Sequence, residues 1–117
     1  MSDDIRSIDA FRARREAGNR RILDAEHLGL SRFMRLDTIA YEDRALPGRT
    51  KELLGLVASA VLRCNDCIDY HLEQCHEHGY THEEIVDALN VSVIVGGSIV
   101  IPHLRHALAT LDQLGSS

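Results

Sequence analysis

The sequence predicts an all-α protein, a bundle of about six helices. Three observations predict it. Apolar residues recur at helical spacing, as in Phe33, Leu36 and Ala40, and again in Leu104, Ala107, Leu108 and Leu111. Helix start and stop signals punctuate the chain, clearest at Thr81-His82-Glu83-Glu84 and Gly79. Aromatic residues are scarce, three tyrosines and two phenylalanines with no tryptophan, so aliphatic side chains must fill the core. Aliphatic ridges suit helix-on-helix packing.

The elements follow in order. Ile5, Ile8 and Phe11 form a weak helical stripe that Ser2, Asp3 and Asp4 could cap. Gly18-Asn19 suggests a break, and a second stretch covers residues 20–27 with Ile22, Leu23 and Ala25. A third helix is expected over residues 31–43, and Leu46-Pro47-Gly48 reads as a turn. Thr50 is a good N-cap for a helix to about Arg63. Leu53, Leu54, Leu56, Val57, Ala60 and Val61 make that helix apolar on nearly every side, which implies burial in the chain or in a subunit contact. The next helix begins at Asn65 and stops at Gly79. Thr81 and Glu84 form a capping box that opens a helix through Ile85, Ala88 and Leu89. Residues 91–101 admit two readings. Their β-branched side chains around Gly96-Gly97 favour a hairpin. Yet the capped helix before them meets no stop signal until Gly96, and a lone hairpin lacks sheet partners. Helix is the favoured reading, with Gly96 and Gly97 allowing close helix approach and Pro102 kinking the chain or starting the last helix.

Composition narrows the function. A chain of 117 residues suits one domain, and 44% hydrophobic residues supply a core. A net charge of −5 does not suit nucleic acid as the main partner. Arg12, Arg14, Arg15, Arg20 and Arg21 read as a solvated helix face paired with neighbouring acids. The start of the chain is polar, with no apolar signal core. The longest apolar run, residues 85–101, carries Asp87 and Asn90 and is short of a membrane span. The expectation is a soluble cytoplasmic protein. Thiols stay reduced there, so a close cysteine pair is redox-active or metal-binding before it is a structural staple.

Such a pair exists. Cys64, Cys67 and His71 form C-x-x-C-x-x-x-H, and on a helix these positions share one face. Two chemistries fit. In the first, thiols at a helix N-terminus are favoured as thiolates, with Arg63 adding positive charge. A thiolate attacks a peroxide or a disulfide, the second sulfur closes an intramolecular disulfide, and a partner dithiol reduces it. In the second, the two cysteines and His71 bind zinc. A closed structural site needs four ligands from more than one element, and no second C-x-x-C or H-x-x-x-H is present. Three small buried cysteines in a helix contact is the plain alternative. His71 is either a general base or a satisfied core histidine, and Glu52 is the carboxylate that could orient it. Spacing by itself makes Glu52 a surface residue of a helix's first turn. Cys75, His76, His78 and His82 resemble a metal cluster by count, but flank a helix end and read as a polar terminus. His103 and His106, with no carboxylate in evident register, read as surface or subunit-contact residues.

The stretches Lys51-Glu52-Leu53-Leu54-Gly55-Leu56, Arg63-Cys64-Asn65-Asp66-Cys67, Tyr70-His71-Leu72, Thr81-His82-Glu83-Glu84-Ile85 and Gly96-Gly97 resemble the alkylhydroperoxidase D-like, or carboxymuconolactone decarboxylase, family. The resemblance covers roughly residues 49–111, with residues 1–47 as a short helical leader and 48–117 as the core, together one domain. It implies an all-α fold with the C-x-x-C at the N-terminus of a central helix, and it favours helix over hairpin at residues 91–101. It implies a homo-oligomer, trimer or hexamer. It implies a thiol-dependent peroxidase or disulfide oxidoreductase that takes a hydroperoxide and is reduced by a dithiol such as a lipoyl group or a thioredoxin-like protein. Cys67 would be the peroxidatic thiol, Cys64 would resolve it and face the reductant, and His71 with Glu52 would relay the proton. No cofactor beyond the Cys64–Cys67 disulfide is implied. Two departures bear on this. Some peroxidase members carry histidine just before the second cysteine, where this chain has Asp66, a carboxylate that opposes thiolate formation. Cys75 matches no family role and either traps an alternative disulfide or packs. The decarboxylase branch works without a C-x-x-C dithiol, so the intact pair argues for the thiol branch. A non-enzymatic redox sensor or metal-binding oligomer, and another reaction on the same fold, are the alternatives.

Overall fold

The structure is a computed structural model and describes residues 7–115. Among these it is all-helical: α1 (Ile8–Asp24), α2 (Leu28–Ala40), α3 (Gly48–Val61), α4 (Asn65–Glu77), α5 (His82–Gly96), a 3₁₀ turn (Ser98–Val100) and α6 (Ile101–Leu114). The chain divides into two compact units, Met1–Gly48 and Arg49–Ser117.

In the first unit, α1 starts at Ser7, whose side chain accepts from Ala10 N at 3.0 Å. The cap expected from Ser2, Asp3 and Asp4, and Ile5 of the stripe, lie outside the described residues. α1 runs unbroken through Gly18-Asn19, correcting the expected break. One glycine costs a helix about 1 kcal/mol, less than stopping and re-nucleating it. Ile8 and Phe11 are buried, while Arg12 lies exposed and bridges Asp9 at 2.9 Å. α2 begins at Leu28 rather than at 31, with the His27 ring accepting from Leu30 N at 3.3 Å. Among its residues none is buried, and Leu28, Leu30, Phe33 and Leu36 are exposed.

The second unit holds the main core. α3 starts at Gly48, two residues before the expected Thr50 cap, because Asp43 Oδ1 already accepts from Gly48 N at 2.6 Å. Leu56 and Ala60 of α3, Ile68, Leu72 and Cys75 of α4, Ile85 and Leu89 of α5, Val100, and Ala107 and Leu111 of α6 form one buried cluster. Their intervals of three and four residues put one stripe of each helix inward. Each buried leucine or isoleucine contributes about 1.5–3 kcal/mol. α4 packs chiefly on α6.

The capping box is complete: Thr81 Oγ1 accepts from Glu84 N at 3.1 Å, and Glu84 Oε1 accepts from Thr81 N at 2.8 Å. The Thr81 backbone N–H holds the Glu84 carboxyl below its usual range. Residues 91–101 are helix to Gly96, then a reversal at Gly97 (φ 84°) into the 3₁₀ turn. The two glycines differ in purpose. A Cβ on Gly96 would stand 2.5 Å from Val100 Cγ2 and 3.9 Å from Val61 Cα, so Gly96 permits close approach. Gly97 has open space and supplies only the left-handed φ. Pro102 sits in the first turn of α6.

Candidate functional site

The site forms where α3 hands over to α4. Arg63 adopts φ 62°, the left-handed conformation that ends helices, and Cys64 N–H reaches back to Ser59 O at 3.1 Å. Glycine is the usual residue there, and a side chain in that conformation costs about 1–2 kcal/mol. The reversal makes Cys64 the N-cap of α4. Its Sγ accepts from Cys67 N at 3.3 Å, the position a serine or threonine oxygen usually takes. Cys64 and Cys67 are joined as a disulfide, with Cα atoms 5.3 Å apart. Cys67 is exposed and Cys64 half-buried. In the isolated chain an incoming molecule therefore meets Cys67 first.

One turn beyond Cys67, His71 is buried, and so is Glu52 on α3 (8% and 5% exposed). His71 Nδ1 lies 2.8 Å from Glu52 Oε1. The placement of Glu52 as a surface residue by spacing alone is thus corrected. α3 starts at Gly48, which moves Glu52 past the exposed end, onto the stripe that carries Leu56 and Ser59 inward. A carboxylate only accepts, so Nδ1 carries the hydrogen and Nε2 is the ring nitrogen left to take a proton. Tyr70 meets the imidazole edge-on, ring centroids 5.2 Å apart.

Gly55 completes this packing, and the sequence reading assigned it no role. A Cβ there would stand 2.6 Å from Cε1, 2.8 Å from Nε2 and 2.9 Å from Nδ1 of His71. The ring lies against bare α3 backbone. The available signal was a glycine in the middle of an otherwise aliphatic helix.

Cys75 is fully buried in the core cluster. Burial, reinforced by the Glu52 carboxylate and opposed by Arg49, pushes its thiol up to about 12. Of its two expected roles, packing is the one it fills. Arg49 stacks on Tyr80 at 3.7 Å and donates from Nε to His78 O at 3.2 Å, tying the start of α3 to the α4–α5 turn.

The expectation that no carboxylate stands in register with His103 and His106 is corrected for His106. Asp69, buried on α4, accepts from Thr110 Oγ1 at 2.6 Å and meets His106 Nε2 at 2.9 Å. His103 Nδ1 lies 2.8 Å from Asn65 Oδ1. The register that pairs Asn65 and Asp69, four apart on α4, with His103 and His106, three apart on α6, exists only between helices. Among the described residues no three His, Cys, Asp or Glu side chains are arranged to hold a metal ion. Among them, too, no helix is long and apolar enough to cross a membrane.

Fold and site together define a small helical protein with a C-x-x-C disulfide at the head of a central helix and a buried imidazole–carboxylate pair one turn on. The chain belongs to the carboxymuconolactone decarboxylase family, whose profile matches residues 29–110. That match reaches back into α2, further than the motifs that suggested the family. A Paracoccus denitrificans relative, uncharacterized protein 4 in the cox locus, is 32% identical over 82 residues, 70% of this chain and 74% of that one. The crystal structure of TM1620 from Thermotoga maritima is 49% identical, with a TM-score of 0.86 over 89% of this chain and 91% of that one. TM1620 is also described as a family protein of possible involvement in the antioxidative response. The family protein lpg0406 from Legionella pneumophila, 21% identical, shares the fold at a TM-score of 0.83 over 92% and 96% of the two chains.

Proposed function

We propose that the protein is a thiol-dependent peroxidase, a disulfide oxidoreductase that reduces hydroperoxides through Cys64 and Cys67. The observation that carries this reading is the 2.8 Å contact between Glu52 of α3 and His71, which lies on the same helix as Cys67 and one turn beyond it. Glu52 fixes the tautomer, and His71 Nε2 takes the proton of the Cys67 thiol. The Cys67 thiolate attacks the peroxide, the O–O bond breaks, and the alcohol leaves with a proton while Cys67 becomes a sulfenic acid. Cys64 then attacks that sulfur, expelling water and forming the disulfide. An external dithiol, lipoyl or thioredoxin-like, restores both thiols. The description of TM1620 as a protein of possible involvement in the antioxidative response supports the same reading.

The setting is the cytoplasm, where a reducing pool maintains the dithiol. The working form is a homo-oligomer, trimer or hexamer. Its support is the exposed apolar surface: Phe33 is 66% exposed, Leu62 75%, and Val91, Ile94 and Val95 line one side of α5 at 50%, 76% and 68%.

The test is peroxide consumption with dithiothreitol as reductant. Cys67→Ser should abolish it, and His71→Ala should lower kcat/KM by about 10² or more, the range of a lost general base. Unchanged turnover in Cys67→Ser sinks the mechanism. A second reading, a redox-sensing oligomer without turnover, is favoured by one observation: Asp66 sets a carboxylate directly before Cys67. It predicts a change of assembly on oxidation and no peroxide consumption in the wild type.

A further inference from the structure

A second imidazole stands beside the dithiol turn. Asn65 lies between the two cysteines as the first residue of α4, and its Oδ1 meets His103 Nδ1 of α6 at 2.8 Å. An amide oxygen only accepts, so His103 Nδ1–H is the donor. One turn further along the same two helices, Asp69 grips His106 and Thr110. That buried clamp fixes the register of α6 on α4. His103 therefore arrives at Asn65 on a rigid seam and not on a loop.

The two sulfurs differ in two ways. Cys67 is exposed and Cys64 half-buried. Cys64 Sγ, at the N-cap, accepts the Cys67 N–H, while Cys67 is already inside the first turn. In thiol–disulfide exchange a thiolate attacks a sulfur it can reach and expels the one whose thiolate is better stabilised. Reach selects Cys67 for attack. The N–H donor and the helix N-terminus select Cys64 for departure.

We propose that His103 is a positioning residue for the reductive half of the cycle: through Asn65 it holds the first turn of α4 so that Cys64 leaves as a stabilised thiolate when an external thiolate attacks Cys67. This rests on the dithiol chemistry proposed above, and it reverses the expectation that Cys64 meets the reductant. The reductant sulfur bonds to Cys67 Sγ, the Cys64–Cys67 bond breaks, and its electron pair stays on Cys64. The second thiol of the reductant then attacks its own partner sulfur in the mixed disulfide and releases Cys67 as thiolate. Two electrons have passed from the dithiol to the protein.

The experiment uses the full oxidised chain, without peroxide. Brief exposure to glutathione, quenching with iodoacetamide and peptide mapping read the point of attack. Glutathione on Cys67 with a carbamidomethyl group on Cys64 is expected, and the reverse pattern overturns the proposal. Equilibration with the dithiothreitol couple reads the reduction potential. His103→Ala should lower the equilibrium constant for reduction about tenfold, a potential about 30 mV more negative. Asn65→Ala should give the same loss, the double variant no more than either, and His103→Gln, which keeps an N–H donor, should restore the wild-type value. Wild-type potential in both His103→Ala and Asn65→Ala overturns the proposal. A chain that passes these tests but ignores peroxides refutes the peroxidase reading alone. A chain that turns over peroxide but fails them refutes the role of His103 alone.

Discussion

Gly55→Ala adds one methyl group at the point where α3 carries the imidazole of His71. The new carbon would stand 2.6–2.9 Å from three ring atoms. Comfortable carbon contacts begin at about 3.5 Å. The ring must therefore retreat, and it cannot do so while keeping its 2.8 Å contact with Glu52. Three magnitudes set the outcome. Alanine gains about 1 kcal/mol over glycine in a helix interior. Overpacking a filled site costs about 1–3 kcal/mol. Losing a buried hydrogen bond to a charged group costs about 1.5–3 kcal/mol. The losses win, leaving a net destabilisation of about 1.5–5 kcal/mol. The assay is urea denaturation at one fixed protein concentration, since assembly would make the midpoint concentration-dependent. Gly18→Ala is the control. Gly18 is a helical glycine with nothing within 4 Å of its missing Cβ, so alanine should stabilise by about 0.5–1 kcal/mol. If Gly55→Ala is as stable as wild type, or gains stability as Gly18→Ala does, the close packing of His71 on α3 is wrong.

Further expectations concern residues outside the relay. In the reduced native protein at pH 8, Cys64 and Cys67 should react with an aromatic disulfide reagent while Cys75, its thiol pushed up to about 12, reacts only on unfolding. Because burial lifts the folded value above the 9.0 of an ordinary thiol, Cys75 contributes stability that is present below pH 9 and lost as pH rises towards 12. Asp69→Ala strands His106 and Thr110 together and should cost about 2–4 kcal/mol by chemical denaturation, with Asp69→Asn costing less. Ile94→Asp puts a charge in the exposed apolar side of α5, and sedimentation velocity should show a smaller species than wild type. A wild-type protein that already sediments as a monomer contradicts the oligomer.

Most of the fold was legible because it rests on local signals. The capping box at Thr81 and Glu84 needs only residues three apart, and it appears as expected. Gly79 ends α4 by its conformational freedom alone, at φ 84°. The failures also have local causes. Gly18-Asn19 looked like a break because glycine is a breaker by propensity, yet one unfavourable residue does not end a long helix. Thr50 looked like a cap because its hydroxyl suits one, but Asp43 satisfies the first amide from outside the helix. The turn at Arg63 was invisible, since nothing in an arginine announces a left-handed conformation.

The candidate site divides along the same line. Cys67 and His71 share one helix with Cys64 as its N-cap, and 3.6-residue geometry puts Cys67 and His71 on one face whatever the rest of the chain does. An all-helical chain with a dithiol at a helix start therefore follows from residue order. Which partner each side chain meets does not. The pairing of Glu52 with His71 spans nineteen residues, and those of Asn65 with His103 and Asp69 with His106 span thirty-eight and thirty-seven. Each depends on the angle and register at which two helices pack, set jointly by every side chain in the contact. The same packing silences Cys75, which sequence spacing would count with the reactive thiols. Burial in a low-dielectric core beside the Glu52 carboxylate penalises its thiolate, and only the folded chain supplies that environment.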